Sequence, residues 1–490
     1  MEPATFETEE RPDEEQGGRF RGWRIRIVAA ILLVAILCGV VTTPAVFFYR
    51  WYDARQQTTP AAETSAQQDD RPEVAATESG AQPAPDEVES DPTPTVQRIA
   101  YITSDQRLAT IRSDGSQRQL LTDTEERFQF PAWSPNGSQV AVIGGDSVYV
   151  IEVAADGSAA GALQPLYEDA TEPPFYLYWS PDGQAITFLA NHPDGIALHL
   201  AGVNGGADSS RLLSVGQPFY WDWLPDSDQI LIHSGFAGDD ARLALLNPDD
   251  ADTLEELGNP GFFQAPGVSA NGDYWAYAEL NEQGDSRLVV VNAAGDLAFS
   301  EPHLGQLTLS WSPHDNLLAF TSPTVDSAAF YGPLQLFEPE SQRRQTLSDD
   351  VVIAYFWSPD GSRIAYVTLP NSGDGGVQAQ ARTYRTGLSA TAEPVRPVQM
   401  ERPELDLWIV EVSSGRNRRI GSFEPTNLFI SQFLPFFDQY ALSHQIWSAD
   451  SERLVLPILL DGRSQIVAVS VSDGTVSPIA EGLIGFWRHQ

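Results

Sequence analysis

Lysine does not occur anywhere in the 490-residue chain; all 29 basic residues are arginine, set against 67 acidic ones for a formal charge of −38. Its absence removes the phosphate-loop lysine, the Schiff-base nucleophile and the Ser-Lys dyad. Cysteine is almost as scarce. The single Cys38 excludes an internal disulfide, a Cys-rich zinc site and a thiol redox pair. Net charge this negative repels phosphate backbones, which sets nucleic acid aside as a partner. The seven histidines, His192, His199, His233, His303, His314, His444 and His489, form no His-x-x-x-His or His-Glu pair, so no metal site and no cofactor are expected. A Gly-x-Ser-x-Gly elbow is missing too, since Gly267-Val268-Ser269-Ala270-Asn271 lacks the final glycine. The Asp-rich run at 247–252 lacks the Gly and terminal Glu of a calcium loop.

One long uncharged run is present. Ile27 to Tyr49 holds 23 residues without a charge; at about 1.5 Å per helical residue they cover a hydrocarbon core of roughly 30 Å. Arg19, Arg21, Arg24 and Arg26 precede the run, and only Arg50 and Arg55 follow it closely. Positive-inside bias then puts residues 1–26 in the cytoplasm and everything after Tyr49 outside, as a single-pass protein of the cytoplasmic membrane. A cleaved signal peptide fits less well, because bulky aromatics stand where small cleavage-site residues belong. Ile36 and Leu37 before Cys38 likewise argue against a lipoprotein signal. Residues 53–97 carry ten acids and two arginines among Pro, Ala, Thr, Gln and Ser. Such a segment cannot bury enough apolar surface to offset ordering and reads as an extended linker, and the tail 1–26 reads as disordered.

The rest of the chain repeats. Related segments are centred on Trp133, Trp179, Trp223, Val268 (in the Trp place), Trp311, Trp357 and Trp447, at spacings of 46, 44, 45, 43, 46 and 90 residues. Each reads as a strand ending in Trp, a tight turn, and an alternating strand such as Arg363-Ile364-Ala365-Tyr366-Val367. Ser-Pro-Asp-Gly suits a type I turn, with Pro fixing φ at the second position and Gly last. A third and a short fourth strand follow, and four strands in about 45 residues is the signature of a propeller blade. The Trp-Ser-Pro-Asp-Gly turn followed by an alternating strand resembles the TolB-type, WD-like propeller repeat, which also forms the propeller of prolyl oligopeptidase relatives. The resemblance covers residues 98–490 and implies an all-β fold. No chain is left over for a hydrolase domain.

Residues 98–122 hold the second to fourth strands of a unit without its Trp strand, and Phe486-Trp487 supplies the missing first strand. A single large β-propeller of eight blades is therefore expected, closed by strands from both ends of the repeat region. Seven blades is the alternative if one divergent unit fails to form. Residues 369–404, rich in Gly, Ala, Arg, Pro and Gln, read as an insertion.

Two aromatic stretches stand out. Phe175-Tyr176-Leu177-Tyr178 and Phe219-Tyr220-Trp221-Asp222 lead into Trp strands, which in related propellers start near the central channel mouth. Tyr176, Tyr220, Trp221 and Asp222 are thus candidate ligand-binding residues for an apolar or cationic group, with inter-blade packing as the alternative. Phe433 to His444 is too aromatic for a connector and reads as a structural plug, with His444 a further candidate at the channel. The functional expectation is a membrane-anchored, extracytoplasmic propeller acting as a non-catalytic protein- or ligand-binding module, with a protein partner in the cell envelope. The alternative is a lyase or hydrolase working in the central channel.

Overall fold

The computed structural model describes residues 97–235, 241–323, 331–370 and 404–488. The expected cytoplasmic tail, the apolar run 27–49 and nearly all of the linker lie outside the described residues, as do residues 371–403 of the insertion. Among the described residues no helix is long and apolar enough to cross a membrane.

Antiparallel meanders make up the fold. Phe128–Trp133, Gln139–Gly144, Ser147–Glu152 and Gln164–Glu168 pair in sequence order as one four-stranded sheet. Three further four-stranded sheets begin at Pro174–Trp179, Phe219–Trp223 and Gly267–Val268. Two larger sheets, of six and seven strands, each contain one strand long enough to serve two meanders. Arg343–Trp357 pairs with Gly332–Glu338 through its first part and with Arg363–Thr368 through its second. Val476–Trp487 pairs with Arg463–Ser470 and then with Arg98–Thr103, where Ile99 lies opposite Trp487. The last strand of the repeat region thus completes the sheet begun by the first, as expected. Successive four-stranded meanders of this kind are the architecture of a β-propeller.

Burial follows from sheets stacked face to face. Ile230–Ser234 is buried at every position, and its Ile-Leu-Ile run suits a strand covered on both faces better than alternation would. Fourth strands lie at the outer edge: Asp250–Gly258 has no buried residue.

The repeated turn forms as its residues dictate. Ser180 Oγ donates to Asp182 Oδ1 at 2.6 Å and accepts from the Ala185 N–H at 3.0 Å. The Gly183 N–H closes the turn on Ser180 O at 2.9 Å. Gly183 has φ +69°, which a side chain rarely adopts. Ser358, Asp360 and Gly361 repeat the pattern.

The repeat tryptophans staple neighbouring meanders. Five indole N–H groups donate to the carbonyl of the residue just before the previous unit's Trp position: Trp133 to Phe486, Trp179 to Ala132, Trp311 to Gly267, Trp357 to Ser310 and Trp447 to Phe356, at 3.0–3.3 Å. Trp223 reaches Thr187 Oγ1 instead, and Thr187 in turn donates to the Tyr178 carbonyl. Where Val268 replaces Trp, no indole exists; its backbone N–H donates to Asp222 Oδ2 at 2.9 Å. That first strand is also the shortest, two residues long. Trp447 lies outside the named strands and makes an isolated bridge to Leu454, because the helical segment before it ends only at Ser443.

Candidate functional site: a plugged centre

Between Asn417–Phe423 and Trp447 the chain leaves the sheets. It forms a π-helical turn Phe429–Phe433, a tight 3₁₀ turn Leu434–Phe436 and the helix α1, Phe437–Ser443. Pro435 sits in the 3₁₀ turn, where a residue without an N–H breaks the regular helical ladder. Phe429, Phe433, Phe437 and Tyr440, three or four residues apart, share one side of the segment and are all buried. Their rings meet inner strands from around the fold. Phe437 packs on Tyr355 at 5.1 Å, Phe433 on Phe486 at 5.7 Å, and Tyr440 on Tyr176 at 5.0 Å and Phe130 at 5.1 Å. Phe130 takes φ +50°, at a register shift between Gln129 and Ala132. Backbone strain of about 1–3 kcal/mol thus accompanies the aiming of this ring at the segment.

Polar groups lock the segment in place. The Gln439 side-chain amide imitates a paired strand: its Oε1 accepts from the Trp221 N–H at 2.9 Å, and its Nε2 donates to the Trp221 carbonyl at 2.9 Å. The Tyr176 hydroxyl lies 2.8 Å from the Gln439 carbonyl and 2.7 Å from Ser443 Oγ. Asp438 Oδ2 accepts from the Ala265 N–H at 3.2 Å and its Oδ1 from the Gln439 N–H at 3.0 Å. Gln264 Nε2 donates to the Pro435 carbonyl at 3.0 Å.

The five candidate residues are 0–6% exposed: Tyr176 3%, Tyr220 6%, Trp221 0%, Asp222 4% and His444 2%. Tyr176, Trp221 and His444 come together around the plug, and the His444 ring lies 4.6 Å from Phe486. His444 Nδ1 meets Ser443 Oγ at 2.6 Å. Tyr220 faces His233, ring centroids 5.7 Å apart. Asp222 accepts from the Val268 N–H, and from the Tyr178 hydroxyl at 3.2 Å.

Burial governs the electrostatics. It raises the Asp222 and Asp438 carboxyls to about 7, against the opposing pull of the backbone N–H groups that each accepts. It pushes the Tyr176 and Tyr220 phenols up. Burial lowers His233 to about 4, although its ring nitrogens face the Gln264 and Gly235 carbonyls. Around neutral pH, then, two weakly acidic carboxyls lie beside the neutral rings of Tyr176, Tyr220 and His233. Among the described residues no group of three or more His, Cys, Asp or Glu side chains could hold a metal ion.

Gln439 and Asp438 were not singled out from the sequence. Their signal was two lone polar residues inside an otherwise apolar aromatic run, in Phe436-Phe437-Asp438-Gln439-Tyr440. Such residues in a packed segment need partners.

No family model and no curated protein matches the chain. Solved structures that resemble it include β-propeller proteins. An oligogalacturonate lyase in complex with manganese is 12% identical over 73% of this chain and 84% of its own, with a TM-score of 0.43. Apo AztD from Citrobacter koseri is 12% identical over 80% and 98%, TM-score 0.46. TolB from Acinetobacter baumannii is 14% identical over 51% and 63%, TM-score 0.33. At these identities and scores the resemblances carry no activity, ligand or partner over to this chain.

Proposed function

We propose that this chain is a membrane-anchored, extracytoplasmic propeller that binds a protein or ligand of the cell envelope without catalysing a reaction. The observation that carries the reading is the plug. The centre of the fold, where a channel enzyme would keep its substrate, is filled by the chain's own Phe433, Phe437, Asp438, Gln439 and Tyr440; the polar atoms of Gln439 are spent on Trp221 and Tyr176, and the Asp438 carboxyl on the Ala265 N–H. Surfaces rather than an open channel are then what the propeller offers. The anchor rests on the uncharged run 27–49 and its flanking arginines. A propeller of eight blades is part of this reading, supported by the strands Arg343–Trp357 and Val476–Trp487 each serving two meanders.

Protease added to sealed spheroplasts tests the topology, and cross-linking in intact cells tests the binding role. The propeller should be removed, leaving a small anchor fragment, and discrete cross-linked adducts should form before digestion. Protection of the propeller in sealed cells, with cleavage after lysis, would refute the location. Absence of adducts under conditions that cross-link other envelope complexes would refute the binding role.

A further inference from the structure

Large apolar side chains gather on the plugged face of the fold. Phe262 is 47% exposed, Leu304 46%, Val351 43% and Phe436 36%. Phe262 and Leu304 occupy the loops before the first strands Gly267–Val268 and Thr308–Trp311, while Val351 lies where Arg343–Trp357 crosses between meanders. All three therefore stand at the end of the sheets opposite the Trp turns. Phe436 joins them from the plug. Short contacts join the stretches that carry Phe262, Leu304 and Phe436: the Leu307 N–H donates to the Phe262 carbonyl at 2.8 Å, and Gln264 bonds Pro435 at 3.0 Å. An exposed apolar patch with a polar rim marks an interaction surface more often than chance exposure does.

The rim is acidic. Glu282 and Asp285 lie in the turn between Tyr274–Leu280 and Ser286–Asn292, whose Ser286 Oγ accepts from the Phe262 N–H at 2.9 Å. Asp349 and Asp350 directly precede Val351. None of these four carboxylates has an ion-pair partner among the described residues, whereas the nearby cations are taken: Arg287 pairs with Glu279 and Arg344 with Glu301. The chain's formal charge of −38 opposes a second copy on this face, and also an anionic lipid surface or a nucleic acid.

We infer that the face formed by Phe262, Leu304, Val351 and Phe436 docks a cationic, amphipathic segment of another protein. Its apolar side chains cover the patch and its basic ones meet Glu282, Asp285, Asp349 and Asp350. This rests on the binding-module reading and specifies the chemistry of its partner. Apolar contact supplies affinity, while the acidic rim steers approach and selects for charge.

The test uses the full chain in phosphatidylcholine nanodiscs, with empty nanodiscs as reference. The probe is a short amphipathic peptide of leucine and arginine, and its control replaces each arginine with glutamate. The arginine peptide should bind, more weakly at high salt, and the glutamate peptide should not. Phe262→Ser with Leu304→Ser should weaken binding at least about tenfold. Leu297→Ser, at a 61% exposed position on the opposite face, should leave it unchanged. Equal affinity in the double variant would overturn the site yet leave a binding module that works elsewhere. Failure of the arginine peptide to bind, or equal binding of the glutamate peptide, would overturn the proposed chemistry. Sedimentation showing a wild-type dimer that the double variant loses would assign the patch to a second copy instead. The cross-linking adducts in intact cells are read separately and judge the binding-module reading itself.

Discussion

Asp438 offers the sharpest test of the plug. Its carboxyl is 1% exposed and lies among backbone N–H groups and aromatic rings. Burial raises its pKa from 3.8 to about 7. The folded state therefore holds a proton that the unfolded state has already released between those two values, so stability falls as pH rises through this window and levels off above it. At 1.36 kcal/mol per pH unit, the span from 3.8 to about 7 is worth about 4 kcal/mol. Asp438→Asn removes this dependence. Relative to the protonated wild type the variant also carries a pH-independent penalty of about 1–3 kcal/mol, because its amide NH₂ must face a backbone N–H that the carboxyl accepted. Urea unfolding followed by tryptophan fluorescence, from about pH 4 to about pH 8, reads both effects. Self-repulsion from the net charge acts on wild type and variant alike and cancels in the difference. The stability gap between them should narrow, and can reverse, as pH rises. Parallel curves across the whole range would refute the buried, protonated carboxyl.

Other expectations follow from the same contacts. Gln439→Ala removes both bonds to the Trp221 backbone and leaves its N–H and carbonyl buried, costing about 2–4 kcal/mol; unchanged urea unfolding would contradict the strand-mimic role. Trp179→Phe keeps the ring but loses the bond to the Ala132 carbonyl and should cost about 1–3 kcal/mol, read as a lower melting temperature. Leu297→Ser, with no such partner, should shift it little. Deleting residues 483–490 strips the strand that pairs with Arg98–Thr103 and removes the fully buried Trp487. Loss of that ring alone costs about 3–5 kcal/mol, so an unchanged melting temperature would refute the closure.

The blades were legible because their chemistry is local and repeated. Ser, Pro, Asp and Gly each have one reason to stand in the turn, and the Trp before them marks where a first strand ends. The closure was legible from a missing strand at one end and a spare Phe486-Trp487 at the other. Less was readable where contacts join distant parts of the chain. Nothing local in Gln439 announces that it will pair with Trp221, 218 residues away. Likewise, Asp222 looked like a channel-mouth carboxylate, but it holds the backbone N–H of Val268, 46 residues away. The aromatic stretch at 433–444 could be read as a plug from composition alone. Its helical form could not be, since a run of aromatics suits a strand equally well.

Binding without catalysis is tested most directly by turnover in the purified full-length chain, screened against polysaccharide, ester and peptide substrates. Asp222→Asn and His444→Ala are run beside the wild type, and circular dichroism confirms that each is folded. The expected result is no turnover that either substitution removes, because Asp222 is committed to Val268 and Tyr178 and the ring of His444 is packed against the plug and Phe486. Reproducible turnover in the wild type, abolished by His444→Ala or Asp222→Asn with the fold intact, would contradict it and make this propeller an enzyme.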